Sequence, residues 1–216
     1  MKLGIDRQKA QQVLEENVKD PITRLHMLES EAIMKAVAKY LYENNKLTEA
    51  EKGGKTSSEL AEEWGIIGLL HDIDWELTKN NVVEHGLKMP EILRNAGGTD
   101  FLIKTIESHI YPNDNEENYM GAPQFVGKKR EGNLEHALAS AETLTGLIIA
   151  TALMMPDKKL ASVKPESLVK KYKNKSFAAK CNRETIAECE KFGIELEEFL
   201  SVGLIALQEI SDRIGL

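Results

Sequence analysis

The chain has 216 residues, enough for one large domain or two small ones and for a substantial buried core. Hydrophobic residues at 42% and charged residues at 29% fit a folded, soluble protein rather than a disordered one. A net charge of −7 argues against general nucleic-acid binding, which needs a positive face to meet phosphate.

From the N-terminus, MKLGIDRQKAQQVLEEN lacks the apolar stretch of a secretory signal, and helical periodicity begins near Asp6–Val18. Asp20-Pro21 is a helix-start signal, proline being pre-set for a first turn. The helix it opens runs to about Tyr42, with Ile22, Leu25, Ile33, Val37 and Tyr40 as its apolar stripe. Steps of seven, four and three link His26 to Ile33, Val37 and Tyr40, so His26 points inward. KLTEAEKGGKTSS reads as a loop. Thr56 and Glu59 form a capping-box pattern opening a helix over about Ser58–Asp72, which delivers His71-Asp72 at its end. Short helices are expected near Pro90–Asn95 and Thr99–His109.

The stretch Tyr111–Gly132 shows no period and is long for a structureless connection, as lids and binding loops often are. Its aromatics Tyr111, Tyr119 and Phe125 either stack on a ligand ring or pin the loop to the core. A helix near Asn133–Met155 follows, with Leu134, Ala137, Ala141, Leu144, Ile148 and Ala152 inward. Its apolar run Leu144–Met155 is too short to span a bilayer, so no membrane partner is expected. Helices near Glu166–Lys173, Phe177–Phe192 and Glu195–Arg213 complete an all-α reading. One helical bundle over 1–216 is expected, with its core in 22–155 and C-terminal helices 165–213 packed on it.

Charge is unevenly spread. Lys158 to Arg183 holds nine basic residues and one acid, Glu166, a balance of +8 that leaves −15 elsewhere. Such a segment is either a solvated helix face beside an acidic neighbour or a positive rim that draws in phosphorylated substrates. Lys180 and Arg183, within it, receive no role from the sequence. Cys181 and Cys189 match no metal or redox spacing, which fits a reducing cytoplasmic location.

The five histidines are His26, His71, His85, His109 and His136, and four of them sit near helix ends or on an inward face. Neutral imidazole and carboxylate both ligate divalent cations. Adjacent helical residues point about 100° apart, so one ion takes both His71 and Asp72 only where the helix ends at a cleft. His136 lies six residues from Glu142, about 240° round the helix, and is expected at the surface.

In this order, His26, the doublet in LLHDIDWE, EHG at Glu84–Gly86, ESH at Glu107–His109, ETLTGLI at Glu142–Ile148 and KSFAAKCNRE at Lys175–Glu184, the chain resembles the HD superfamily of metal-dependent phosphohydrolases, in particular an uncharacterised bacterial branch. The resemblance implies a helical bundle of the HD type and carries a His, His-Asp, Asp metal pattern onto His26, His71, Asp72 and Glu142, with a Glu where the pattern has Asp. Members with extra histidines hold two metals, which would recruit His85 and His109, with Asp72 bridging.

One or two divalent ions (Mn, Fe, Co, Ni, Mg or Zn) are therefore expected as cofactor, and a phosphomonoester or phosphodiester, nucleotide-like and small, as substrate. Catalytic acids would be Asp72 with Asp74 or Glu76, the nearest spare carboxylates. Lys79, Lys128, Lys129 and Arg130 are candidates for phosphate contact. A nucleotide-sensing module that has lost turnover is the alternative. A homo-oligomer is compatible with the sequence, which does not demand one.

Overall fold

The computed structural model describes residues 2–113, 119 and 121–216. The expected loop 111–132 therefore lies in part outside the described residues. All regular elements among the described residues are helical: α1 (Arg7–Asn17), α2 (Pro21–Glu43), α3 (Glu49–Lys52), α4 (Ser57–Leu70), α5 (Trp75–Thr78), α6 (Met89–Asn95), α7 (Asp100–Glu107), α8 (Asn133–Leu153), α9 (Pro165–Lys173), α10 (Arg183–Ala187), α11 (Leu196–Glu209) and α12 (Ser211–Ile214). The all-α reading holds, and one large hydrophobic cluster runs from Leu3 to Ile214.

Helix starts follow the cap chemistry. Asp20 accepts from the Ile22 amide ahead of Pro21, and Thr56 and Glu59 form a reciprocal capping box. The same device, Thr48 with Glu51, builds α3 inside the segment expected to be a loop, and Gly53 ends it in the left-handed conformation.

The longest interface is α2 against α4, and glycine makes it close. A Cβ on Gly68 would stand 2.8 Å from the Ser30 carbonyl oxygen, so a side chain there would force the backbones apart. The two helices run antiparallel: Lys35 meets Gly65, Ser30 meets Gly68, and His26 meets His71 one turn further on. Helix α8 packs against α2, α10, α11 and the 3-10 turns Ser108–Ile110 and Glu188–Phe192. It is the one described helix long and apolar enough to cross a membrane, and 67% of that stretch is buried inside the bundle, as befits a core helix.

The helix expected over Phe177–Phe192 is instead a turn followed by α10 and the 3-10 segment Glu188–Phe192. Arg183 explains the break. Its guanidinium donates to the carbonyls of Tyr172 (3.1 Å), Phe177 (2.6 Å), Ala178 (3.0 Å) and Cys181 (2.7 Å), and Ala178 takes a φ of 45°. A guanidinium drawn into the turn competes with a helix ladder for these acceptors.

A small second cluster of Ile110, Ala122 and Phe125, with Tyr111 and Tyr119 on its edge, gives the long loop its own core. Phe125 is fully buried there and packs beside Gly86, where a Cβ would fall 2.7 Å from its ring. Of the two roles open to Phe125, the structure gives it the pinning one.

Candidate metal centre

Helix ends and tight turns bring four imidazoles to one carboxylate. His26 comes from the first turns of α2, His71 caps α4 and Asp72 follows it. His85 ends the 3-10 turn Val82–Glu84, and His109 lies in the turn Ser108–Ile110. Asp72 Oδ2 lies 3.7 Å from His26 Nε2 and 3.6 Å from His71 Nε2. Asp72 Oδ1 lies 3.4 Å from both His85 Nε2 and His109 Nε2. Each carboxylate oxygen thus faces its own pair of imidazoles.

The other ring nitrogens settle the tautomers. His71 Nδ1 is 2.8 Å from the Gly68 carbonyl oxygen, which can only accept, so Nδ1 carries the proton. His109 Nδ1 donates to the Ile106 carbonyl in the same way. His85 Nδ1 is 3.0 Å from the Asp74 carboxylate. His26 Nδ1 is 3.0 Å from Thr145 Oγ1, and that hydroxyl spends its own proton on the Glu142 carbonyl oxygen at 2.7 Å, so it accepts from His26. All four rings therefore present a bare Nε2 to Asp72 in their neutral form. Anchoring of the distal nitrogen in this way is the usual outer support of metal-ligating histidines.

Burial keeps His26 and His71 neutral. It outweighs the Asp72 charge, lowers the His26 pKa and pushes that of His71 down to about 3. Yet their Nε2 atoms stand 3.1 Å apart, two lone pairs face to face. His109 Nε2 is buried with no hydrogen-bond partner among the described residues. Buried acceptors left in this state are costly unless a cation satisfies them. The spacing suits one: ligand atoms about 2.1 Å from a shared ion lie about 3.0 to 3.4 Å apart for right-angle to tetrahedral bonds.

His85 differs. Burial works against its imidazolium, but hydrogen bonds to Asp72 and Asp74 outweigh it, and the pKa is pushed up to about 10. A divalent ion at Nε2 would displace that proton, so metal uptake there releases one. Asp72 is ionised despite its burial, because the His85 imidazolium beside it holds its pKa well below the carboxylate range.

Glu142, one residue from the apolar stripe of α8, also arrives. One of its oxygens, His26 and His71 offer ligand atoms all within 4.8 Å of one another, and His71, Asp72 and His109 do the same. The extra methylene relative to aspartate does not carry the carboxylate out of reach. Burial pushes its pKa up to about 8 against a hydrogen bond from Thr143, a charge state that a bound cation would reverse.

The remaining expected site residues are placed elsewhere. Asp74 is fully buried, and its oxygens accept from His85 Nδ1 and from the amides of Gly86 (2.9 Å), Lys88 (3.1 Å) and Met89 (3.0 Å). It holds His85 and the following turn and does not line the cavity. Glu76 accepts from the Lys19 amide, and Lys79 pairs with Asp20 at 3.3 Å; neither lines the cavity. Lys128 pairs with Glu107 at 2.7 Å, and neither Lys128 nor Lys129 lines the cavity.

Arg130 is spent entirely on protein. Its five N–H groups reach Glu188 Oε2 (2.7 Å) and Oε1 (2.6 Å), Ser108 O (3.1 Å), Tyr111 O (2.6 Å) and Asn113 Oδ1 (3.0 Å). It is a positioning residue, since the two carbonyls it holds flank His109. His136, expected at the surface, is buried, with Nδ1 2.6 Å from Glu188 Oε2. The reason is that α8 is covered on several sides, so facing away from Glu142 means facing another element, here Glu188–Phe192.

The centre opens into a cavity of about 420 Å³. His26, Asp72, His85, His109 and Glu142 line one part of it, and Trp75, Ile22, Ile110, Tyr111 and Tyr119 contribute apolar surface. Lys180 and Asn182 line it too. The sequence hinted at this segment through its charge bias and through the resemblance at Lys175–Glu184, without assigning either residue a role. Comparisons with family models, with curated proteins and with solved structures find no match to this chain.

Proposed function

We propose that the chain is a metal-dependent phosphohydrolase acting on a small phosphomonoester or phosphodiester of nucleotide type, in the manner of the HD superfamily it resembles. One observation carries the reading: four imidazoles anchored through Nδ1 turn their Nε2 atoms toward the two oxygens of a single buried, ionised aspartate. His26, His71, Asp72 and Glu142 would hold one divalent ion. His85 and His109 would hold a second, with Asp72 shared. Such ions, when bound, acidify water and offset charge on a phosphoryl group.

The residues supply the rest. Thr145, Gly68, Asp74 and the Ile106 carbonyl fix the imidazole planes before substrate arrives, so little reorganisation is needed during reaction. Asp72 and Glu142 are the carboxylates lining the cavity among the described residues, so proton movement falls to them and to solvent rather than to Asp74 or Glu76. Hydrolysis adds water across the ester bond: water oxygen bonds to phosphorus, the P–O ester bond breaks, and the departing oxygen takes up a proton. The apolar wall with Trp75 and Tyr111 offers a surface for the organic part of such a substrate.

The test is metal analysis of protein purified without chelator, together with phosphatase and phosphodiesterase assays over Mn, Co, Ni, Fe and Mg. Bound metal with metal-dependent turnover is expected. Protein that takes up none of these ions and hydrolyses nothing would overturn the reading.

A further inference from the structure

The cavity needs a group that tells a phosphate from other ligands, and none of the cations Lys79, Lys128, Lys129 and Arg130 lines it. Lys79 is paired with Asp20, Lys128 with Glu107 and Arg130 with Glu188. Arg183 is wrapped in backbone carbonyls. Among the residues lining the cavity, Lys180 is the one lysine or arginine. It has no hydrogen bond or ion pair among the described residues.

We propose that Lys180 and Asn182, at the end of the turn 174–182, form the phosphate-recognising element of this cavity, with Lys180 as the cation that binds a terminal phosphomonoester dianion. The proposal rests on the hydrolase reading above and narrows its substrate class to monoesters bearing an apolar or aromatic group.

The turn is built rather than slack. Arg183 fastens three of its carbonyls at 2.6 to 3.0 Å, and Asn174 Oδ1 accepts from the Ser176 amide (3.1 Å) and hydroxyl (2.8 Å). Ala178 adopts a backbone conformation (φ 45°) uncommon for a residue with a Cβ. A turn held this firmly fixes where the Lys180 stem begins, which lowers the ordering cost of binding.

Asn182 adds a second donor. Its Oδ1 is fully used as the α10 cap, accepting from the amides of Glu184 (2.9 Å) and Thr185 (3.3 Å). Its Nδ2 is the part left for a ligand in the cavity. A compact ammonium suits the doubly charged end of a monoester, whereas a diester carries one charge and a second organic group. Trp75, Ile22, Ile110 and Tyr111 supply apolar lining for a single such group.

The experiment uses the full chain loaded with Mn. Calorimetry measures inorganic phosphate binding to wild type, Lys180→Ala, Lys180→Arg and Lys175→Ala, the last an exposed lysine on the same turn that does not line the cavity. Lys180→Ala should weaken phosphate binding by roughly tenfold or more, the scale of a charge-assisted hydrogen bond, with Lys180→Arg recovering part of it. It should raise KM for phenyl phosphate by a similar factor and leave KM for bis(p-nitrophenyl) phosphate within about twofold. Metal content, melting temperature and the Lys175→Ala results should match wild type.

Phosphate affinity that is unchanged in Lys180→Ala, or wild type that binds no phosphate, overturns the proposal. Phosphate binding that depends on Lys180 without any turnover would sink the hydrolase reading and leave Lys180 as a phosphate ligand. Turnover indifferent to Lys180 does the reverse.

Discussion

Two buried polar clusters lie on either side of the turn Ser108–Tyr111, and they differ in one respect. Around Arg130, all five guanidinium N–H groups find acceptors, and Glu188 is held by Arg130 and His136. Around Asp72, the imidazoles are equally well fixed on their outer sides, yet the inner nitrogens of His26 and His71 face one another and that of His109 has no hydrogen-bond partner among the described residues. The first cluster is complete in protein alone. The second leaves buried ring nitrogens without a donor among the described residues, the gap that the proposed metal ions would fill. Saturation therefore sets the proposed metal centre apart from the structural cluster, where burial and charge do not.

The largest effect should come from removing the hub of the unsaturated cluster. Asp72→Ala deletes the one carboxylate that all four imidazoles face, and metal affinity, read by competition with a chelator, should fall by at least about a hundredfold. Metal-dependent activity should disappear while the helical circular-dichroism spectrum stays. Retention of near-native metal affinity would mean that the cluster is not a metal centre.

Breaking the saturated cluster should instead damage the fold. Arg130→Met leaves Glu188 buried and short of its main partner, a loss of roughly 3–5 kcal/mol. That corresponds to a fall of roughly 10 °C in melting temperature for a chain of this size. Because Arg130 also holds the carbonyls beside His109, weaker metal binding should accompany the loss, and Arg130→Lys should rescue neither fully. A melting temperature unchanged by Arg130→Met would remove the structural half of the contrast.

Two buried glutamates sharpen the same point through pH. Glu188 is resisted by burial, but its hydrogen bonds to Arg130 and His136 bring its pKa down to about 2. Its stabilisation is thus present above the unfolded value near 4.5 and lost as pH falls toward 2, on the order of 3 kcal/mol. Glu29, which no cation contacts among the described residues, is pushed up to about 7 by burial. There the folded state keeps a proton that the unfolded chain has released, so stability falls as pH rises from about 4.5 to 7, again on the order of 3 kcal/mol. Denaturant melts across pH should show Glu188→Gln flattening the acid limb. Glu29→Gln should flatten the neutral limb and raise stability at pH 8. Identical pH profiles for both variants and wild type would contradict these assignments.

The helical bundle was legible because apolar residues recur at helical spacing and the caps Asp20, Thr56 and Thr99 precede the helices they start. The inward turn of His26 followed from the same period. What the sequence hid is tertiary. Asp72 and Asp74 look alike two residues apart, and only the amides of Gly86, Lys88 and Met89, folded back from the next turn, make one a support and leave the other bare. The composition of 174–182 suits a helix until Arg183 captures its carbonyls. That local competition for backbone acceptors also brings Lys180 to the cavity.

The smallest effects should come from Glu76 and Lys79, which sequence proximity to the doublet had marked for catalysis and phosphate contact. Glu76 lies four residues after Asp72, but it accepts from the Lys19 amide, and Lys79 reaches Asp20, so both face the α1–α2 connection instead of the cavity. Glu76→Gln keeps an acceptor for the Lys19 amide, and Lys79→Ala removes an ion pair that is about one third exposed on both sides, worth about 0–1 kcal/mol. Each should leave kcat/KM within about twofold of wild type, the range expected of side chains outside the transition state. A loss of tenfold or more in either variant, with the fold intact, would mean that this connection closes over bound substrate and that the cavity's true wall includes it.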